Sequence, residues 1–259
     1  MAEVKKIYNV PKRGVGMPDY ASPKPLGQVP VGPVYTLSDL SELAARIGSI
    51  DSFDRRGNVI WLDDFESSLN KWEVLYTTPP AAAAISTERA RNGGNSALLT
   101  TGDTLGSLQA IRHNMPIPYT SKMGFEFSFA YKDNVDYVFL EIYFRALEYS
   151  HHARIRLNFG VVYPSIYDQT QNYVEVPTRV YLPKNSYLFH TCKLVVDFLN
   201  QKYDRLIINA QSIDISDYQY YVSSPTDEKL LGLTIKLSTE ANASANLYAD
   251  DVIITQNEP

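Results

Sequence analysis

Period-two alternation is the feature of this chain that most restricts its fold. Phe125, Phe127, Phe129 and Tyr131 alternate with Glu126, Ser128, Ala130 and Lys132. Val138, Leu140, Ile142 and Phe144 repeat the pattern, and Ile155, Leu157 and Phe159 alternate with Arg154, Arg156 and Asn158. Leu194, Val196 and Phe198 follow, then Leu206 and Ile208, then Leu231, Leu233, Ile235 and Leu237. Successive side chains of a strand point to opposite faces, so this pattern gives strands with one apolar and one wet face. Such strands form antiparallel sheets that pack face to face. The spacing predicts an all-β antiparallel sandwich of roughly ten to thirteen short strands. At 259 residues, with no repeat and no second composition boundary, one large β domain over 58–256 is expected.

Two phrases bracket that domain. Val59-Ile-Trp-Leu-Asp-Asp-Phe-Glu66 opens it and Leu247-Tyr-Ala-Asp-Asp-Val-Ile-Ile254 closes it, each with an Asp-Asp pair beside an apolar strand. They read as first and last strands meeting at one end of the sandwich. In the closing phrase the apolar face is odd-numbered to Ala249 and even-numbered from Val252. A strict alternation would bury an aspartate, so a β-bulge at Asp250–Asp251 is expected to restore the register.

The first 35 residues have a different character. Pro11, Pro18, Pro23, Pro25, Pro30 and Pro33, with four glycines among them, exclude a helix or a central strand. An extended arm is expected, made basic by Lys5, Lys6, Lys12, Arg13 and Lys24. One short α-helix over 36–48 follows. Thr36 stands at the N-cap with Asp39 three residues on, Leu37, Leu40, Leu43 and Ile47 form an apolar stripe, and Gly48 stops it. The arm and this stripe are the expected partner-binding elements.

Charge and residue content exclude several classes. A net charge of −5 and pI near 5.4 argue against a general nucleic-acid binder. The first residues, Met1-Ala-Glu-Val-Lys-Lys6, are followed by no apolar segment of the kind a secretory signal needs, and no stretch approaches the length of a membrane helix. Cys192 is single and lies in an apolar run, so it reads as a buried thiol. His151 and His152 are adjacent and should point to opposite faces, which rules out joint chelation. There is no Gly-x-Ser-x-Gly nucleophile elbow and no phosphate-loop lysine after Gly93-Gly94.

The run Trp61-Leu-Asp-Asp-Phe-Glu66, then Leu69-Asn-Lys-Trp72, then Ser86-Thr-Glu-Arg-Ala-Arg-Asn-Gly-Gly-Asn-Ser-Ala-Leu-Leu-Thr100, resembles the opening of concanavalin-A-like and carbohydrate-binding-module-like jelly rolls. Tyr248-Ala-Asp-Asp-Val-Ile-Ile254 is similar to their closing strand. The resemblance implies a jelly-roll sandwich and a fold more than an activity. With the arm and helix in front, it resembles phage virion accessory proteins. It therefore implies a non-enzymatic structural protein of a virion, assembled in the host cytoplasm as a capsid-decoration or tail component. Other virion or assembly proteins and further copies of the chain would be its partners, with no membrane involved. The alternative it implies is a carbohydrate-binding module for cell-surface glycans. Hydrolases of this fold carry Glu-x-Asp-x-(x)-Glu on one strand, a run absent here, where Glu141 shares its face with Tyr143 and Arg145.

Two residue groups are candidate sites. Asp63, Asp64, Glu66, Asp250 and Asp251 are hard oxygen donors, and the resemblance implies a structural calcium near the first and last strands, with no other cofactor. The same acids could instead bind backbone amides at turns and bulges. Tyr163, Tyr167 and Tyr173 form one tyrosine cluster and Tyr218, Tyr220 and Tyr221 another. A large ring with a polar tip suits protein interfaces, glycan stacking and plain cross-strand packing alike.

Overall fold

The computed structural model describes residues 56–259 apart from 77–79, 133, 147, 184–186, 226–228 and 240–241. The expected arm and helix, with Lys5, Lys6, Lys12, Arg13, Leu37, Leu40, Leu43 and Ile47, lie outside the described residues. Among the described residues no helix is long and apolar enough to cross a membrane.

In chain order the strands are β1 (Asn58–Asp63), β2 (Glu73–Leu75), β3 (Ala82–Ser86), β4 (Ser96–Thr100), β5 (Leu108–Met115) and β6 (Lys122–Lys132). Then come β7 (Val135–Arg145), β8 (Ser150–Leu157), β9 (Gly160–Val162), β10 (Ser165–Tyr167), β11 (Tyr173–Glu175) and β12 (Val180–Leu182). The last six are β13 (His190–Asp197), β14 (Lys202–Ile208), β15 (Gln211–Asp214), β16 (Tyr221–Ser223), β17 (Leu230–Thr239) and β18 (Asn246–Gln256). The eighteen strands among the described residues exceed the number expected. The surplus consists of three- and four-residue pieces such as β2, β9, β11 and β15, too short to show an alternation.

Sheet A runs β15-β14-β13-β6-β18-β4-β3, and β1 also pairs with β18. Sheet B runs β11-β10-β8-β7-β17-β5-β2, with β16 on β8. A two-stranded ribbon, β12-β9, stands beside them. The inner faces follow the sequence parity. Phe125, Phe127, Phe129, Leu194, Val196, Leu247 and Ile254 of sheet A meet Val138, Leu140, Ile142, Ile155, Leu233 and Ile235 of sheet B in one fully buried core. At roughly 2 kcal/mol for each large apolar side chain taken out of water, this layer is the main favourable term in folding.

The meeting of first and last strands holds. Asn58 faces Gln256 and Asp63 faces Val252, while the first half of β18 pairs with β4 along the same edge. The bulge is also where the parity places it. The β18–β6 register shifts between Asp250 and Ile253, and Asp251 takes a φ of 46°. Aspartate tolerates this left-handed conformation better than most residues. Gly124, near the start of β6, has a packing reason: a Cβ there would meet Glu258 Oε1 at 2.6 Å. Its absence opens the slot into which the Glu258 carboxylate turns.

Candidate functional site

The acids of the opening and closing phrases are bound by protein donors. Asp63 accepts from Lys71 Nζ and from Trp72 Nε1, both at 2.7 Å, which pins the turn after β1. Glu66 Oε1 accepts the amides of Gly94 and Asn95 at 2.9 Å, and Asp64 accepts the Glu66 amide at 3.2 Å. Asp250 Oδ2 accepts the amides of Arg91 at 2.7 Å and Asn92 at 3.3 Å, and Asp251 Oδ2 takes Asn92 Nδ2 at 2.7 Å. Burial, with Asp251 alongside, pushes the Asp250 carboxyl up to about 7. Calcium takes about six to eight oxygens. Among the described residues no three His, Cys, Asp or Glu side chains gather as a metal-holding group, so these acids as arranged do not fit that cage. Their geometry is that of carboxylates fastening the 88–95 segment across β18.

The tyrosines divide. Tyr220 is 1% exposed, its hydroxyl 3.0 Å from His151 Nδ1, so it belongs to the core and is removed from any ligand-facing surface. Tyr218 is partly buried against that core. Tyr163 is exposed and accepts from Arg179 Nε at 3.0 Å. Tyr167, Tyr173 and Tyr221 come together on the outer face of sheet B.

That face is organised in cross-strand rows. Thr234, Glu141 and Arg154 stand in register on β17, β7 and β8. One row away Lys236, Phe139, Arg156 and Ser165 do the same, and on the other side stand Gly232, Tyr143, His152 and Tyr221. Rings, half-buried but for the buried Phe139, form a continuous chain across these rows. Tyr137 lies 5.8 Å from Phe139, Phe139 6.1 Å from Tyr173, and Tyr173 5.4 Å from Tyr167. Tyr167 then reaches Tyr221 at 6.3 Å, Tyr221 reaches His152 at 5.4 Å, and His152 reaches Tyr143 at 5.4 Å.

Charge on this face is mainly positive. Lys236 Nζ donates to Glu141 Oε1, and the Tyr143 hydroxyl donates to Glu141 Oε2 at 3.0 Å. Both oxygens of the central acid are thus occupied. Burial and Glu141 hold the Tyr143 phenol well above its ordinary range, and Tyr173 is pushed up to about 12 for the same two reasons. His152 is driven down to about 4 by burial and by the neighbouring Arg154 and Arg145, so it is neutral at pH 7. His151, on the opposite face of the strand as expected, packs against Phe144 and Phe198. Sequence reasoning noticed Arg154 and Arg156 only as the wet side of a strand. Their tyrosine neighbours come from β7, β10 and β11, and only the register brings them together.

No protein-family model matches the chain, and no curated protein matches it in sequence. Solved structures do match in fold. An endo-β-1,4-glucuronan lyase from the fungus Trichoderma reesei superposes with a TM-score of 0.54 at 11% identity, covering 77% of this chain and 96% of its own. A cellulose-induced protein gives 0.53 at 13% identity, covering 75% and 96%. A carbohydrate esterase from the Shiga toxin-encoding bacteriophage phi24B gives 0.51 at 12%, covering 78% and 100%. At such identities the likeness is one of fold. The chain is a two-sheet antiparallel β-sandwich of jelly-roll architecture, a fold it shares with a glucuronan lyase and a phage carbohydrate esterase.

Proposed function

We propose that the protein is a non-enzymatic glycan-binding jelly roll whose binding surface is the outer face of sheet B. The unbroken chain of rings from Tyr137 to Tyr143, half-buried but for the buried Phe139 and interleaved with arginine planes, carries this reading. Sugar rings present apolar C–H faces bordered by hydroxyls, and tyrosines offer an apolar ring with a polar tip to match. The named activities of the fold neighbours, on glucuronan and on carbohydrate, support a saccharide ligand. Binding is favoured over hydrolysis because Glu141 is committed to Lys236 and Tyr143, whereas glycoside hydrolysis asks for two carboxyl groups across the scissile bond.

A glycan array probed with the full chain is expected to give hits. Tyr167→Ala and Tyr221→Ala should each weaken the best hit about tenfold, the usual loss for a central interface aromatic. Tyr119→Ala, on a side chain 81% exposed in the β5–β6 connection, should leave it unchanged. Absence of hits across neutral and acidic glycans would refute the proposal.

The arm supports a second, compatible reading, a virion or assembly role in which residues 1–35 anchor the chain to other proteins or other copies. Its support is compositional: six prolines and a local excess of lysine and arginine on an otherwise acidic chain. Removing residues 1–35 is expected to abolish incorporation into the parent particle while leaving the thermal midpoint of the sandwich in place. Unaltered incorporation would end that reading.

A further inference from the structure

Arg154 and Arg156 are held in an unusual way for surface arginines. The Arg156 guanidinium carbon sits 4.4 Å from the Tyr137 ring centroid and 4.6 Å from that of Tyr173. Arg154 sits 4.5 Å from Tyr167 and 5.3 Å from Tyr143. Stacking on rings from two strands fixes each plane and leaves its edge as the donor surface. Among the described residues no carboxylate pairs with either group within 4.0 Å, and the Nε of each is buried without a hydrogen-bond partner. Glu141, across the register from Arg154, is bound by Lys236. Glu141 still favours the charged form of Arg154 through space, whereas Arg156 stacks between its two rings with no carboxylate within 4.0 Å among the described residues, and a planar fork is best answered by a two-oxygen anion.

The space for such an anion is present. A pocket of about 230 Å³ opens on this face, lined by Tyr137, Arg156, Asn158, Tyr163, Ser165 and the exposed Glu175. Arg156 is the cation among these lining residues, and Asn158 and Ser165 add neutral hydrogen-bonding groups suited to hydroxyls.

We propose that the glycan on this face is anionic, and that an acidic sugar seats in this pocket with its charged group on the edge of Arg156 and the adjoining residue over Arg154. The inference rests on the saccharide reading above and adds the ligand's charge and the subsite that reads it.

The test is affinity electrophoresis of the full chain through polygalacturonate, hyaluronate and alginate, through carboxyl-reduced polygalacturonate, and through dextran sulfate and dextran. Oligothymidylate serves as a non-saccharide polyanion. Retardation by at least one uronate polymer, with none by the carboxyl-reduced chain, is expected. Arg156→Lys keeps the charge but loses the planar fork, and should weaken that retardation about tenfold at an unchanged thermal midpoint. Dextran sulfate retarding the chain more than every uronate, with the same Arg156→Lys loss, would assign a sulfated ligand within the same anionic class. Equal retardation by native and carboxyl-reduced polymer, or by dextran alone, would overturn the anionic reading and leave saccharide binding standing. Retardation by oligothymidylate matching that by uronates, or an Arg156→Lys protein that binds as well as the parent, would also overturn it. No retardation in any gel, together with an empty glycan array, would remove both readings.

Discussion

Glu258→Ala is expected to destabilise the sandwich by about 4 kcal/mol, the range seen when one member of a buried charge group is removed. The Glu258 carboxylate is fully buried. Its Oε1 lies 2.8 Å from Lys193 Nζ and also accepts from the Thr255 hydroxyl, while Oε2 accepts from Arg205 Nη2. Lys193 itself is 2% exposed. Without the shared carboxylate, buried Lys193 loses its partner at 2.8 Å in a slot that water reaches poorly, while Arg205 keeps Asp204 at 2.8 Å. Glu126, 3.9 Å from Lys193, is too distant to replace it. Urea unfolding of parent and variant measures the difference. A cost below about 1 kcal/mol would mean that the slot hydrates freely and that the carboxylate is not structural.

The second large effect is acid sensitivity carried by His151. Burial lowers its pKa from 6.5 to about 4, and His152 is lowered similarly, with His113 and His190 shifted the same way. A base with a depressed folded-state pKa stays neutral in the fold while the unfolded chain takes up the proton. Its contribution is therefore intact above pH 6.5 and is lost as pH falls to about 4. For His151 the full loss is about 3 kcal/mol, at ~1.4 kcal/mol per pKa unit. Asp250, raised to about 7, works in the opposite direction, so the raw stability curve mixes the two. The informative quantity is the difference between the parent and His151→Gln. From pH 7 to pH 4 the parent is expected to lose about 3 kcal/mol more than the variant, over and above a constant offset for the lost Tyr220 bond. A difference independent of pH would show that His151 titrates normally.

Much of the body was legible because a sandwich core writes itself into alternate residues. The parity change between Ala249 and Val252 located the bulge, since a half-buried strand cannot slip by one residue without burying a charge. The pairing of β1 with β18 was legible from the two Asp-Asp phrases. The outward site was not. Alternation tells that Arg154 and Arg156 point away from the core, but not that Tyr137, Tyr143, Tyr167 and Tyr173 flank them. Those contacts depend on which strands are neighbours and in what register, and local sequence does not encode that. Tyr220 and Tyr221 show the same limit at one step. Consecutive tyrosines must face opposite ways, and nothing near them says which is buried. The acids carried two readings for a different reason: a carboxylate looks the same in sequence whether it awaits a cation or an amide.

The pairing of β18 bears on the order of events during synthesis. Its trailing half carries the register partners of β1, Val252 opposite Asp63 and Gln256 opposite Asn58. A ribosome has therefore translated almost the whole body before residues 58–63 can find their place, and until then that apolar segment stays unpaired. Closing so long a loop is entropically expensive and slow. Nascent chains stalled before position 252 should accordingly recruit holding chaperones at Val59–Leu62, and release them once the final strand emerges.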